Sequence, residues 1–169
     1  MAAIIREAVP DDAEEIIAYM QRLCDEPDTY LPLGPGEYDR SVEDERKVIE
    51  KHNTEANCLL LIVEDAGKIV GLINCTGGIR RANRHGVILG ITLALDYRGQ
   101  GLGTELMSRA IEWAKGTGIV TRIELLVYAN NTKAIHLYEK LGFVTEGRLR
   151  RAVVRNGEYV DSLVMGLLL

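Results

Sequence analysis

The chain has 169 residues, of which 47% are hydrophobic and 27% charged, and its formal net charge at pH 7 is −5. This length and balance fit one globular domain, and the negative charge argues against nucleic acid as a partner, since that ligand needs a basic face. No apolar run approaches bilayer length and the opening MAAIIREAVPDD lacks an export signal, so we expect neither a membrane partner nor secretion.

The first part of the chain predicts one strand and two helices. AAIIREA alternates in hydrophobicity, as a short strand does, and a helix is expected from about Asp11, where acidic residues precede apolar residues at helical spacing. CDEPDTYLPLGPGEYDR then reads as a long irregular loop, because it is rich in proline and glycine. Ser41 opens a second helix, with Asp44 at the position of a capping-box acid.

The remainder predicts six strands and two helices. CLLLIVED and KIVGLINCTGG form a hairpin around residues 65–67, and HGVILGITLAL is a further strand. GLGTELMSRAIEWAKGTG is a helix of about four turns, TRIELLVYA a buried strand, and NTKAIHLYEKLGF a helix ended by Gly142. The last segment is a hairpin around Asn156-Gly157. The order β-α-α-β-β-β-α-β-α-β-β predicts one domain over residues 1–169, a mixed sheet of the α+β (α/β-type) class.

The three cysteines show no metal or disulfide spacing. Cys24, Cys58 and Cys75 are odd in number, and none belongs to a CxxC or Cys/His pattern. They are therefore interpreted as reduced, buried thiols, which predicts a cytoplasmic protein without a metal site.

The stretch YRGQGLG lies between a predicted strand and a predicted helix. Backbone N–H groups at the start of a helix have no partner within the helix and can bind phosphate, and glycines allow a ligand to approach closely. A Walker loop is excluded because Thr104 and Glu105 follow Gly103, without the required lysine. GxGxxG fails in both registers, which disfavours a dinucleotide. An Arg-x-x-Gly-x-Gly anion loop remains.

Together with a second segment, this loop resembles the GNAT superfamily of acyl-CoA N-acyltransferases. NNTKAIHLYEKLGF matches the family pattern Asn-x-x-Ala-x-x-Leu-Tyr-x-x-x-Gly-Phe. The matching positions are Asn131, Ala134, Leu137, Tyr138, Gly142 and Phe143. The resemblance implies a mostly antiparallel sheet of about seven strands with four helices on its faces. It also implies acetyl-CoA as co-substrate, an amine as acceptor, and a homodimer, since relatives are often dimers.

The resemblance assigns the coenzyme contacts to two neighbouring segments and one cap. The pyrophosphate loop comprises Arg98, Gly99, Gln100, Gly101, Leu102, Gly103 and Thr104. The strand before it, Ile91, Thr92 and Leu93, lies along the pantetheine arm, which pairs with it because family members splay this strand from the next. The Leu93 N–H is the expected donor to the thioester oxygen. Asn131 caps its helix and touches the coenzyme arm.

The resemblance makes Tyr138 the general acid for the leaving thiolate, since a neutral phenol can donate a proton to it. The alternative is a purely structural core aromatic. Glu124 is the candidate general base, because a carboxylate isolated between apolar strand residues would have a raised pKa. A solvent-facing edge charge is an equal alternative, and His85 and His136 are further candidates.

The long loop between the first two helices is expected to cover the acceptor. Its acidic residues are Asp25, Glu26, Asp28 and Glu37. They favour a cationic amine, with Glu26 and Tyr30 as the predicted contacts, although a solvated acidic loop is an alternative. Three functions stay open: an N-acetyltransferase for a small or amino-acid-like amine, a protein N-terminal acetyltransferase, and a non-catalytic coenzyme A sensor.

Overall fold

The computed structural model describes residues 3–27 and 29–169, so Met1, Ala2 and the loop residue Asp28 lie outside the described part. Seven strands form one mixed sheet with four helices on its faces, which confirms the predicted class and element order. Strands β1–β7 are Ile4–Glu7, Leu59–Asp65, Lys68–Gly77, Gly86–Leu93, Arg122–Tyr128, Val144–Arg155 and Glu158–Leu168. Helices α1–α4 are Ala13–Asp25, Val42–Thr54, Leu102–Gly116 and Thr132–Lys140.

The strands lie in the order β1-β2-β3-β4-β5-β7-β6. Every neighbouring pair is antiparallel except β4 and β5, which run parallel. A parallel pair needs a crossover, and α3 supplies it between these two strands. The sheet is therefore mostly antiparallel, with its single parallel junction near the middle.

Local sequence signals determine the turns and caps that were predicted. Ala66 and Gly67 have φ of +48° and +78°, and Asn156 and Gly157 have +50° and +78°. Positive φ at both central residues is typical of the type I′ turn, whose twist suits a two-residue hairpin. The Ser41 hydroxyl accepts a hydrogen bond from the Asp44 N–H at 3.1 Å and caps α2.

Helices cover the sheet on both faces but not to the same extent. On one face α3 and α4 bury a core that includes Ile73, Leu106, Met107 and Ile123. On the other face the second core joins α1 and α2 to β2 and β3. Beyond β3 this face stays open, so that Ile88 of β4 and Leu126 of β5 are 61% and 59% exposed. The parallel junction is thus accessible from the α1–α2 side.

The three cysteines are buried and free, as predicted. Burial raises the pKa of the Cys75 thiol to about 12. Among residues 3–27 and 29–169, no cluster of His, Cys, Asp or Glu is arranged to hold a metal ion. Within the same residues, no helix is long and apolar enough to cross a membrane.

Arg6 joins the first strand to its neighbour and to the start of α1. Its guanidinium donates to both Asp12 oxygens, at 2.7 and 2.8 Å, and to Glu64 of β2 at 2.7 Å. Asp12 ends a short 3₁₀ turn that begins at Pro10, so α1 starts two residues later than predicted. The Arg6 hydrogen bonds lower the pKa of the Asp12 carboxyl.

Replacing this carboxylate should destabilise the fold in a pH-dependent way. Because the folded-state pKa of Asp12 is depressed, its contribution exists above the unfolded pKa, near 4, and is lost as pH falls through the folded value. We expect Asp12→Asn to lower the free energy of unfolding by about 1 kcal/mol at pH 7, with a smaller difference at low pH. Urea denaturation at both pH values checks this. The exposed neighbour Asp11→Asn is the control, and equal effects of the two variants would contradict the interpretation.

Candidate active site

The two parallel strands separate partway along their length. β4 and β5 pair only from Gly86 with Arg122 to Ile88 with Glu124. Both strands continue past this point, to Leu93 and Tyr128, without pairing to each other. A V-shaped gap therefore opens in the sheet, bounded by one unpaired edge of each strand.

Strand parity decides which backbone groups of β4 face this gap. The Ala94 N–H donates to the Val70 carbonyl of β3 at 2.8 Å, and the β3–β4 register is unbroken. Because hydrogen-bonded pairs alternate in an antiparallel ladder, Thr92 also points its N–H and C=O at β3. Ile91 and Leu93 point theirs into the gap. The N–H groups of Ile91 and Leu93 have no partner among the described residues and can pair with an extended ligand.

The start of α3 presents a second set of free N–H groups. Gly99 and Gly101 have φ of +74° and +87°, and a side chain at either position would meet no atom within 4 Å. These glycines are thus required by the backbone conformation and not by crowding. Among the described residues, no acceptor is bonded to the N–H groups of residues 99–104. This arrangement is an anion nest at a helix N-terminus.

The nest and the unpaired strand edge are adjacent. A Cβ built at Gly103 would lie 3.7 Å from the Leu93 side chain and 3.6 Å from Leu137 of α4. The Arg98 Nε donates to the Leu93 carbonyl at 2.8 Å, which ties the loop to the last residue of β4. An elongated ligand with a phosphate group can therefore contact the nest and the β4 edge together.

Glu26, predicted to contact the acceptor substrate, lies at the end of α1 against the residues that follow β4. One of its oxygens accepts from the Arg98 guanidinium at 2.5 Å, and the other accepts from the Leu95 N–H at 3.0 Å. The Arg98 side chain is thus directed toward Leu93 and Glu26. Gln100 likewise turns back, and its side-chain amide donates to the Asp96 carbonyl.

Tyr138 lies on α4 and is buried in the core that α3 and α4 form with the sheet. It is 7% exposed, and its ring packs on Phe143 with centroids 5.9 Å apart. Its hydroxyl makes no hydrogen bond to the described residues. Burial raises the pKa of Tyr138 to about 12, so the phenol is neutral at physiological pH and has its proton available. Asn131 caps the same helix, because its Oδ1 accepts from the Ala134 N–H at 3.3 Å.

The surroundings of Glu124 differ from those expected. The sequence predicts a carboxylate isolated between apolar residues, but Arg122 lies two positions away on the same face. Arg122 donates to Glu124 at 2.7 Å and also binds Glu146. Glu124 belongs to the last β4–β5 pair and so lies where the strands begin to separate.

A cleft of about 600 Å³ lies between the α1–α2 loop and the β6–β7 hairpin. Tyr30, predicted to contact the acceptor, packs beside it against Tyr128, with ring centroids 6.1 Å apart. The Arg155 guanidinium lies over the Tyr30 ring at 4.5 Å. Neither Tyr128 nor Arg155 was identified from the sequence, because only the folded loop brings them together.

Comparisons with known proteins agree with this geometry. Residues 20–143 match the model of the acetyltransferase (GNAT) family, and the chain belongs to that family. The solved GNAT-family acetyltransferase of Streptococcus pneumoniae is 36% identical, covers 99% of this chain and 100% of its own, and superposes with a TM-score of 0.95.

Two curated relatives are similar over shorter stretches. The L-amino acid N-acetyltransferase AaaT of Escherichia coli is 35% identical over 99 residues, or 59% of this chain and 61% of that protein. The spermidine N(1)-acetyltransferase of Vibrio cholerae is 31% identical over 131 residues, or 76% of this chain and 73% of that protein. Membership of this family, together with these relatives, identifies the chain as an acetyl-CoA-dependent N-acetyltransferase.

The described residues fit the coenzyme. The nest suits the pyrophosphate, since residues 99–104 offer free N–H groups with open space at both positive-φ glycines. The Ile91 and Leu93 edge suits the pantetheine amides, which can add to it as a strand does.

A side chain at Gly101 should weaken coenzyme binding. Ala at φ +87° is strained by about 1–2 kcal/mol and would distort the nest, which corresponds to a rise of about 5- to 30-fold in the Kd for coenzyme A. Isothermal titration calorimetry measures this. The control is Gly116→Ala, at the end of α3, where φ is not positive and no atom is within 4 Å. Equal Kd values for the two variants would contradict the nest.

Proposed function

We propose that the enzyme acetylates the primary amine of a small acceptor by direct attack within a complex that contains both substrates. The observation that carries this proposal is the gap between β4 and β5, which joins the coenzyme face of the sheet to the open α1–α2 face. An acceptor in the cleft beside Tyr128 and Glu26 would approach the thioester from the side opposite to α3 and α4.

Coenzyme binding is assigned to backbone groups. The N–H groups of residues 99–104 would hold the pyrophosphate, and Ile91 and Leu93 would pair with the pantetheine arm. Thr92 would contribute only by holding the strand, since its hydroxyl accepts from Tyr19 at 3.0 Å on the other face. Asn131 would contact the arm through its side-chain nitrogen, because its oxygen is used in the cap.

The chemistry is assigned to one backbone donor and one phenol. When bound, acetyl-CoA supplies an acetyl thioester, whose C–S bond breaks as the bond from the amine nitrogen to the carbonyl carbon forms. The Leu93 N–H would donate to the carbonyl oxygen, where negative charge develops. Tyr138 would give its proton to the leaving sulfur, and the amine would lose one proton, which balances the reaction.

The base and the acceptor contacts are assigned to two carboxylates. Glu124 lies at the apex of the gap, where it could take the amine proton directly or through water, with Arg122 holding its carboxylate. Glu26 lines the acceptor cleft, and its hydrogen bonds to Arg98 and Leu95 give it a further role in fixing the end of β4. We also infer a cytoplasmic location and a homodimer, as the sequence predicted.

The relatives favour a small acceptor. One is named for L-amino acids and another for spermidine, and both substrates carry a primary amine. The rival acceptor within the enzyme class is a protein N-terminus. An assay of coenzyme A release with amines, amino acids and N-terminal peptides separates the two. A non-catalytic sensor would bind acetyl-CoA without turnover on any of them.

Removing the Tyr138 hydroxyl tests the proposed acid. Tyr138→Phe should lower kcat by about 100-fold and leave the Kd for coenzyme A unchanged, because the ring stays in its place in the core. Steady-state kinetics and calorimetry measure the two quantities. The exposed Tyr159→Phe is the control. An unchanged kcat in Tyr138→Phe would refute the assignment.

A further inference from the structure

The acceptor cleft carries charges of both signs. Its loop side contributes the carboxylates of Asp25, Glu26 and Glu37, and its hairpin side contributes Arg155. Tyr128, the last residue of β5, also lines it. Glu26 connects the cleft to the end of β4, since it accepts from the Leu95 N–H. A ligand in the cleft therefore lies beside the strand to which the thioester is assigned.

Tyr128 presents a buried polar group that the protein leaves unpaired. It is 9% exposed, and its hydroxyl has no hydrogen-bond partner among the described residues. A buried hydroxyl without a partner destabilises a fold, so such groups are expected where a ligand supplies the missing bond. The Tyr128 hydroxyl thus indicates a polar ligand atom in the cleft.

Arg155 is held in place by aromatic rings. Its guanidinium lies 4.5 Å from the centre of the Tyr30 ring and 5.9 Å from that of Tyr128. No described carboxylate forms an ion pair with it, although three line the same cleft. Stacking occupies the faces of a guanidinium and leaves its N–H edge available, and that edge matches a carboxylate in two parallel hydrogen bonds.

We propose that Arg155 and Tyr128 recognise a carboxylate on the acceptor, so that the enzyme selects α-amino acids over polyamines. This proposal rests on the proposed acetylation of a small amine. Arg155 would bind the acceptor carboxylate, the Tyr128 hydroxyl would donate to it, and the acidic loop would attract the ammonium group on the adjacent carbon. A polyamine carries positive charge only, and Arg155 would repel part of it.

The test compares each acceptor with its counterpart that lacks the carboxylate. We would measure kcat/KM with acetyl-CoA for the proteinogenic L-amino acids, their C-terminal amides, and spermidine. Arg155→Gln should lower kcat/KM for the preferred amino acid by about 10- to 100-fold, mainly through KM, and leave its amide nearly unchanged. Each comparison is between variant and wild type for one acceptor, so the intrinsic reactivity of the amine cancels.

Three further variants complete the test. Arg155→Lys keeps the charge but loses the paired donors, so its kcat/KM for the amino acid should lie between those of wild type and Arg155→Gln. Arg150→Gln, in the same hairpin but outside the cleft, should leave kcat/KM unchanged for both the amino acid and its amide. Tyr128→Phe should raise KM for the amino acid. The Tm of this variant should equal or exceed that of wild type, because the change removes an unpaired buried hydroxyl.

Some results would overturn the inference but not the proposed function. These include equal losses for amino acid and amide in Arg155→Gln, and a wild-type preference for spermidine over every amino acid. A fall in Tm of Tyr128→Phe would show that the hydroxyl is structural, which would also contradict it. Absence of turnover with every small acceptor, in a protein that binds acetyl-CoA, would instead overturn the proposed function on which the inference rests.

Discussion

The early end of the β4–β5 pairing is the constraint on which the site depends. A central sheet normally satisfies both edges of each strand, yet here pairing stops at Ile88 and Glu124. In a continuously paired sheet, unpaired amides such as those of Ile91 and Leu93 would destabilise the fold. Beside a helix N-terminus with further free N–H groups, they are donors that one elongated ligand could bind.

Arg98 connects the two sides of this gap. It donates to the Leu93 carbonyl on the coenzyme side and to Glu26, which lines the acceptor cleft. These hydrogen bonds hold the Arg98 side chain at the end of β4, and its contact with the coenzyme stays a prediction. The backbone amides of residues 99–104 would supply the proposed phosphate contacts, in a loop conformation that needs glycine at 99 and 101.

The fold and the glycine loop before α3 were predictable because they depend on local signals. Hairpin dipeptides, the Ser41 cap and the glycines before α3 each act within a few residues, and the structure has the corresponding turns and helix starts. The acceptor side was not predictable in the same way. Tyr128 and Arg155 meet only because a long irregular loop packs against a distant hairpin. No motif or periodicity in the sequence indicates that these two residues are close.

Amide hydrogen exchange with and without coenzyme A tests the central claim most directly. Thr92 and Ala94 face β3 in both states, so their exchange should change little on binding. Ile91 and Leu93 should gain strong protection, together with the amides of residues 99–104. Protection of Thr92 and Ala94 in place of Ile91 and Leu93, or of none of these amides, would contradict a coenzyme paired along the open edge of β4.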